Sequence, residues 1–270
     1  MKFKHQLAEP GEVMPTVPSV MEPKWDGIRL FAEVHDDGVR FFTRAGNIKN
    51  LPACAAELKS LPVGTIVDGE AACLTGHWGD AQSGVAKGDD AKLSFVIFDM
   101  LTYSVTDARP LPFSDRRALL ERIFDHPEFK QVQLTPQMEA SQANHDKLIE
   151  LGFEGSVVKR LDSRYACGRR GAGWWKFKFV DTIDAVITGY EPGSDVGTIM
   201  FSQYDSNGGL VHVGRCKALK GTHENVEELI ERRQVVEIKH NGIMPSGALR
   251  HAQVVRVRDD KSARDCTLAQ

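Results

Sequence analysis

The sequence predicts an α+β protein in two domains. Antiparallel sheets with flanking helices occupy residues 1–181, and a small OB-type β-barrel occupies 182–270. Three observations predict it. Apolar runs of strand length, bounded by Gly, Asp and Asn turns, dominate the chain. Helical stretches are few and short, two of them behind a capping serine. After Thr182 the pattern becomes five short β segments and one helix within about 90 residues, the inventory of an OB barrel. No long linker marks the change, so a short hinge near residue 181 is expected.

The elements follow in order. "IRLFAEVH" (28–35) and "VRFFT" (39–43) read as strands joined by an Asp36-Asp37-Gly38 hairpin turn. "CAAELKSL" (54–61) is a short helix. "GTIVDGEAACL" (64–74) and "KLSFVIFDML" (92–101) are buried strands, the second apolar on both faces. Between them "TGHWGDAQSGVAKGDDA" (75–91) reads as a Gly-rich polar loop. Ser114 caps a helix over 115–125, and Ser141 one over 142–151 that stops at Gly152. "GSVVKR" and "WWKFKFV" return to strand. "IDAVITGYE", "TIMFSQYD", "GLVHVGRC", "QVVEIKH" and "QVVRVRD" follow as short strands, with an Asn207-Gly208 turn and a helix near 223–233.

Composition limits the function classes. In 270 residues no apolar run approaches 18, so no transmembrane helix is expected. "MKFKHQLAEPGE" lacks the apolar stretch of a secretory signal. Cysteines 54, 73, 167, 216 and 266 are scattered without a CxxC pair. Reduced thiols in a cytoplasm are expected, not a disulfide framework or zinc ribbon. The net charge of −3 carries no global mark of nucleic-acid binding. Locally, 159–178 holds seven Lys or Arg against one acid, interleaved with Tyr165, Trp174 and Trp175. That is either a phosphate-binding stripe or a solvated loop with an edge strand.

Six short motifs carry chemistry. In "KWDGIR" (24–29), Lys24 stands at a strand-edge turn. An amine there is a nucleophile if held neutral, and burial or nearby cations favour the neutral form. Gly27 is expected to free the backbone for the turn, and Asp26 to position the amine or a metal. "DGE" (68–70) ends an apolar strand. Phe98 ends another in "FVIFDM", where an aromatic is more often core than a stacking platform. "EGSVVK" sets Glu154 at a strand start and Lys159 five residues on. In "WWKFK", Lys176 and Lys178 share one face of a strand, an arrangement an anion would stabilise. "RVRDDK" (256–261) completes the series.

In this order, with "TRAGN" (43–47) and "DAVITGY" (184–190), the motifs closely resemble those of the ATP-dependent DNA ligases of the covalent nucleotidyltransferase superfamily. The resemblance covers residues 20–265 and implies an adenylyltransferase domain over 1–181. It implies that Lys24 attacks the ATP α-phosphate and becomes a lysyl-AMP phosphoramidate. Asp26, Lys176 and Lys178 complete the catalytic set, the two lysines gripping the α-phosphate. Glu22 and Lys159 join the nucleotide-binding set. Arg29 and Arg44 match positions that hold phosphate, the 5′-phosphate of the nick. Glu70 faces the ribose, Phe98 stacks on adenine, and Glu154 with Glu70 helps hold Mg²⁺ or Mn²⁺. Arg258, Asp260 and Lys261 match an R-x-D-K element that orients departing pyrophosphate. Implied too are nicked duplex DNA as partner, no membrane, a monomer, and a bacterial or phage-infected cell. No further helical DNA-binding domain is expected, so loop 75–91 and segment 159–173, with Arg169 and Arg170, are the candidate DNA contacts. Within the superfamily the rivals are an RNA ligase or an mRNA capping guanylyltransferase, which tends to carry Asp where Glu154 stands. A non-catalytic OB-type nucleic-acid-binding module would show decay among the motifs, and no motif residue is missing.

Overall fold

The computed structural model describes residues 3–73, 78–124, 129–194, 196–219, 225–244 and 246–268. The chain forms two compact units, Met1–Lys178 and Phe179–Gln270, dividing slightly ahead of the expected hinge near 181.

Two sheets build the first unit. One has seven strands: Ile48–Lys49, Gly38–Thr43, Gly27–His35, Ile66–Ala72, Ser94–Tyr103 and Thr106–Asp107 in that spatial order, with Val132–Leu134 also against Ser94–Tyr103. Its pairings are antiparallel except the last, which is parallel. The other sheet runs Leu7–Pro10, Arg170–Lys178, Gly155–Arg160, Ser19–Pro23, Met138–Glu139. Strand alternation decides which layer each side chain joins. Leu30, Ala32 and Val34 bury on one face of the seven-stranded sheet, in a core completed by Cys54 and Leu58 of helix Pro52–Leu58 and by Leu120 of helix Phe113–Phe124. Phe31 points the other way and packs with Phe42, Ile66, Leu101, Tyr165 and Trp174. Trp174 belongs to the five-stranded sheet, so this second cluster joins the two sheets.

Several expectations need correction. Within the supposed loop 75–91, Trp78–Lys87 is a helix, while residues 74–77 lie outside the described set. Ala81 and Val85, one turn apart, bury against the sheet. Gly84 hid the helix, yet a Cβ there would meet Asp89 O at 2.7 Å. The helix expected behind Ser114 begins at Phe113, with Pro112 O accepting from Arg116 N, so Ser114 is not its cap. Ser141 does cap Gln142–Glu150, its side chain accepting from Asn144 N.

The second unit is one antiparallel sheet: Leu210–Lys217, Thr198–Tyr204, Asp181–Glu191, Val235–His240, Gln253–Arg258. Helix Val226–Glu231 contributes Leu229 to a core of Ile187, Phe201, Val236 and Ile238. Among the described residues no strand pairing joins the two edge strands, so the sheet is open rather than a closed barrel. Cys216 and Lys217 of one edge and Gln253 and Val254 of the other line a common cavity, which occupies the gap. All five cysteines are free. No helix among the described residues is long and apolar enough to cross a membrane.

Candidate active site

Lys24 stands where the chain passes from one sheet to the other. Strand Ser19–Pro23 pairs with Gly155–Arg160, and Lys24 N still donates to Gly155 O at 2.9 Å. Three residues later Gly27 opens the central strand of the seven-stranded sheet, opposite Ala72. A Cβ on Gly27 would lie 2.1 Å from Ala71 O. The glycine is therefore required by the close approach of two strands. Its φ is not positive, so the turn expected of it is not the reason. Gly155, with φ of 144° and a Cβ position 2.0 Å from Phe177 O, serves a similar purpose beside Glu154.

Around Lys24 lies a cleft of about 240 Å³. Leu7 and Ala8 of the N-terminal strand, Trp25, Val157 and Trp174 supply its apolar wall. Phe98 is half-buried there, edge-to-face with Trp174 at 6.2 Å. Glu22, Arg29, Arg44, Glu70, Lys159, Arg170 and Lys176 supply the polar lining. Arg44 reaches the cleft from the turn after Gly38–Thr43, closed by Gly46 N donating to Thr43 O. Of the expected set, Asp26 is half-buried but does not line the cleft, and Arg169 is exposed away from it.

Carboxylates already hold half of these cations, Lys24, Arg29 and Lys159. Glu154, nearly buried, pairs with Lys24 through one oxygen and with Lys178 through the other at 2.8 Å. Burial alone would raise its pKa, but Lys24 and Lys178 outweigh that and hold it below the ordinary range. Lys176, from the same strand as Lys178, meets cations instead. Burial, then Arg170, Lys178 and Lys24, push its pKa down. An anion in the cleft would relieve that repulsion.

Arg29 lines the cleft already paired. Its guanidinium forms a two-pronged pair with buried Asp68, 3.0 and 2.7 Å, within 5.2 Å of the Phe98 ring centroid and 5.5 Å of that of Trp174. Tyr165 Oη donates to the same carboxylate at 2.6 Å. Lys159 is held more deeply. It is only 1 % exposed, paired with Glu22 at 2.7 Å, donating to Phe98 O at 2.8 Å and 4.4 Å from the Trp174 ring centroid. Burial pushes the Glu22 carboxyl up and the Lys159 amine down. Lys159 belongs to the floor under the cleft and not to a basic surface stripe, and Tyr165 of the same segment is buried.

Glu70 stands opposite Arg29 across the strand pair. Burial pushes its carboxyl up to about 8, against the pull of Arg29 and Lys24, with Asp68 and Glu154 adding to the rise. Glu70 and Glu154 are the carboxylates that could hold a divalent cation. Mg²⁺ is commonly held by one or two carboxylates plus substrate phosphates, and this pair fits. No cluster of three or more metal-ligating side chains occurs among the described residues.

In the second unit Arg258 pairs with Asp260 at 2.7 and 2.9 Å and, at 3.4 Å, with Asp184. Lys261 pairs with Asp184 at 2.8 Å. Sequence reasoning missed Asp184, Asp68, Tyr165 and the Leu7–Ala8 wall. The first two were visible as motif members, but nothing local said which cation each would meet.

Fold and site together define a protein of two units, the first of which sets Lys24 in an aromatic and cationic cleft. The family profile for the ATP dependent DNA ligase domain matches residues 5–178, and the chain belongs to that family. A "Probable DNA ligase" of Kineococcus radiotolerans is 30% identical over 92% of this chain, which spans 56% of that relative's length. Among solved structures, the ligase domain of M. tuberculosis LigD superposes over 99% of this chain and 98% of its own, with TM-score 0.59 and 26% identity. A Lig E DNA ligase, from work on DNA binding with a minimal scaffold, superposes over 96% and 100%, with TM-score 0.73. At 19% identity that likeness speaks for the fold alone.

Proposed function

We propose that the chain seals nicks in duplex DNA with ATP through a lysyl-AMP intermediate. The observation that carries this reading is Lys24 in a cleft that also presents Phe98, Glu70, Lys176 and Arg44. In the first step Lys24 Nζ, freed from Glu154, attacks the α-phosphorus. A P–N bond forms, the bond to the bridging oxygen breaks, pyrophosphate leaves, and the amine gives up a proton. In the second step an oxygen of the DNA 5′-phosphate attacks the same phosphorus, and the lysine leaves and regains its proton. In the third the 3′-hydroxyl attacks the 5′-phosphate and AMP departs.

Phe98 and Val157 supply faces for the adenine, and Lys176 with Arg44 stabilises charge on phosphate oxygens. Arg29, held by Asp68, acts by its fixed field more than by direct grip. A divalent cation, held by Glu154 and Glu70, would neutralise charge on the phosphates. Arg258 and Lys261, on an OB-type second unit, meet the β- and γ-phosphates in the first step only. Arg169 and Arg170 are the proposed DNA contacts, with Arg170 also at the cleft rim.

The test is incubation with labelled ATP and Mg²⁺, detection of a protein–AMP adduct, then a chase with nicked duplex. The adduct should form, discharge to DNA, and be absent in Lys24→Ala. An adduct of unchanged yield in that variant, or labelling by GTP and not ATP, would overturn the reading.

A further inference from the structure

Asp184 is a carboxylate shared by the two cations of the R-x-D-K element. Lys261 Nζ lies 2.8 Å from one oxygen, and Arg258 Nη1 lies 3.4 Å from both. The opposite edge of the guanidinium, Nε and Nη2, is closed by Asp260. Asp184 is 15 % exposed and sits within strand Asp181–Glu191, paired opposite Glu237 of the neighbouring strand. Its carbonyl accepts from Gln203 Nε2 at 3.0 Å. It is thus a fixed point on a hydrogen-bonded sheet. Asp260 and Lys261, by contrast, lie in the turn after the last strand and take their direction from side-chain contacts.

Two cations placed side by side repel, and without an anion between them the turn would splay. A carboxylate on the sheet removes that repulsion and sets their spacing. Neither cation is used up by it. An ammonium has three N–H donors and a guanidinium five, so each keeps donors for an incoming anion.

We propose that Asp184 is a positioning residue for enzyme adenylylation. It holds Arg258 and Lys261 as one preformed cradle for the departing pyrophosphate. The inference rests on the ligase reading above and adds to it a residue with no direct contact to the nucleotide. Pyrophosphate leaves once, in the first step, so the effect of Asp184 is confined to that step.

The experiment compares wild type, Asp184→Asn and Asp184→Ala in two single-turnover assays. One follows lysyl-AMP formation over a range of ATP concentrations with Mg²⁺. The other follows sealing of a chemically pre-adenylylated nick. Misplacement of a charge-stabilising group by about 1 Å can cost about 100-fold. Asp184→Ala should therefore lose about 10- to 100-fold in the maximal rate of lysyl-AMP formation. Asp184→Asn, which keeps one acceptor oxygen, should fall between. Both should seal the pre-adenylylated nick at a rate close to wild type, which a variant with a damaged fold would not do. Adduct formation by Asp184→Ala at the wild-type rate or faster overturns the proposal, as does an equal loss in both assays. If wild type itself forms no adduct, the ligase reading fails and takes this one with it. A normal wild type beside an unaffected variant removes Asp184 alone.

Discussion

Replacing Glu70 by Gln tests whether the cleft stores an unfavourable charge for a ligand to use. Burial holds the Glu70 carboxyl at about 8 in the folded protein, against an ordinary 4.5. The sign follows directly. A raised acid contributes stability below its unfolded value and loses it as pH rises through the folded one. Between those limits the unfolded chain has given up a proton that the native state keeps. Each pH unit in the window then costs up to about 1.4 kcal/mol, so from pH 5 to 8 the ceiling is about 4 kcal/mol. Glu70 borders the open cleft and is only partly buried by its exposed surface, so solvent screening should leave about 1–2 kcal/mol of that. Gln has the same shape and no charge. Urea unfolding at pH 5, 6.5 and 8 without nucleotide should show Glu70→Gln gaining on wild type by about 1–2 kcal/mol across the series. Parallel pH profiles for the two proteins would refute the reasoning, and so would a variant less stable than wild type at pH 8. The gain should come with a loss of lysyl-AMP formation, because the same carboxylate is proposed to serve the ribose and metal.

Lys159→Met should destabilise the first unit by about 3–5 kcal/mol in urea unfolding, since it strands the Glu22 carboxylate in the interior. The double variant Glu22→Leu/Lys159→Met should recover most of that loss, which a purely steric effect would not. Arg169→Ala with Arg170→Ala should flatten the salt dependence of binding to nicked duplex, measured as log Kd against log salt, because phosphate contacts release counterions. Arg258→Ala or Lys261→Ala should slow lysyl-AMP formation by orders of magnitude while sealing a pre-adenylylated nick near the wild-type rate. Lys176→Ala should impair both reactions in the same assays.

What could be read in the sequence was whatever depends on neighbours along the chain. The strand over 28–35 was legible from its apolar run, and Ser141 announced its helix. The pairing of Lys176 with Lys178 on one face followed from period two alone. What could not be read was pairing at a distance. Glu22 and Lys159 are each ordinary motif letters, and only the antiparallel register of their strands brings the two together. Arg29 looked like a free phosphate ligand because Asp68 lies on another strand, two residues from the acid that drew attention. The helix over Trp78–Lys87 was hidden because its glycine, a breaker by propensity, is demanded there by a close tertiary contact.

Burial sorts the paired cations by what each can do. Lys159 and Glu22 are 1 % and 3 % exposed, and no ligand can reach between them without opening the interior. Asp68 is fully buried under Arg29, so that guanidinium too keeps its partner. These pairs shape the cleft and fix its rings. Lys24, Lys178 and Lys261 are 21 %, 35 % and 29 % exposed, and each pairs with a carboxylate more buried than itself. An incoming phosphate can take over from a carboxylate there provided the displaced carboxylate gains a cation of its own, since a stranded buried charge is costly. Glu154 matters most in this respect. It neutralises two lysines at once, so anything that draws it toward a cation of its own releases both. Lys24, the proposed nucleophile, thus pairs with the residue proposed to bind metal. On that reading, loading the site and freeing Lys24 are one event.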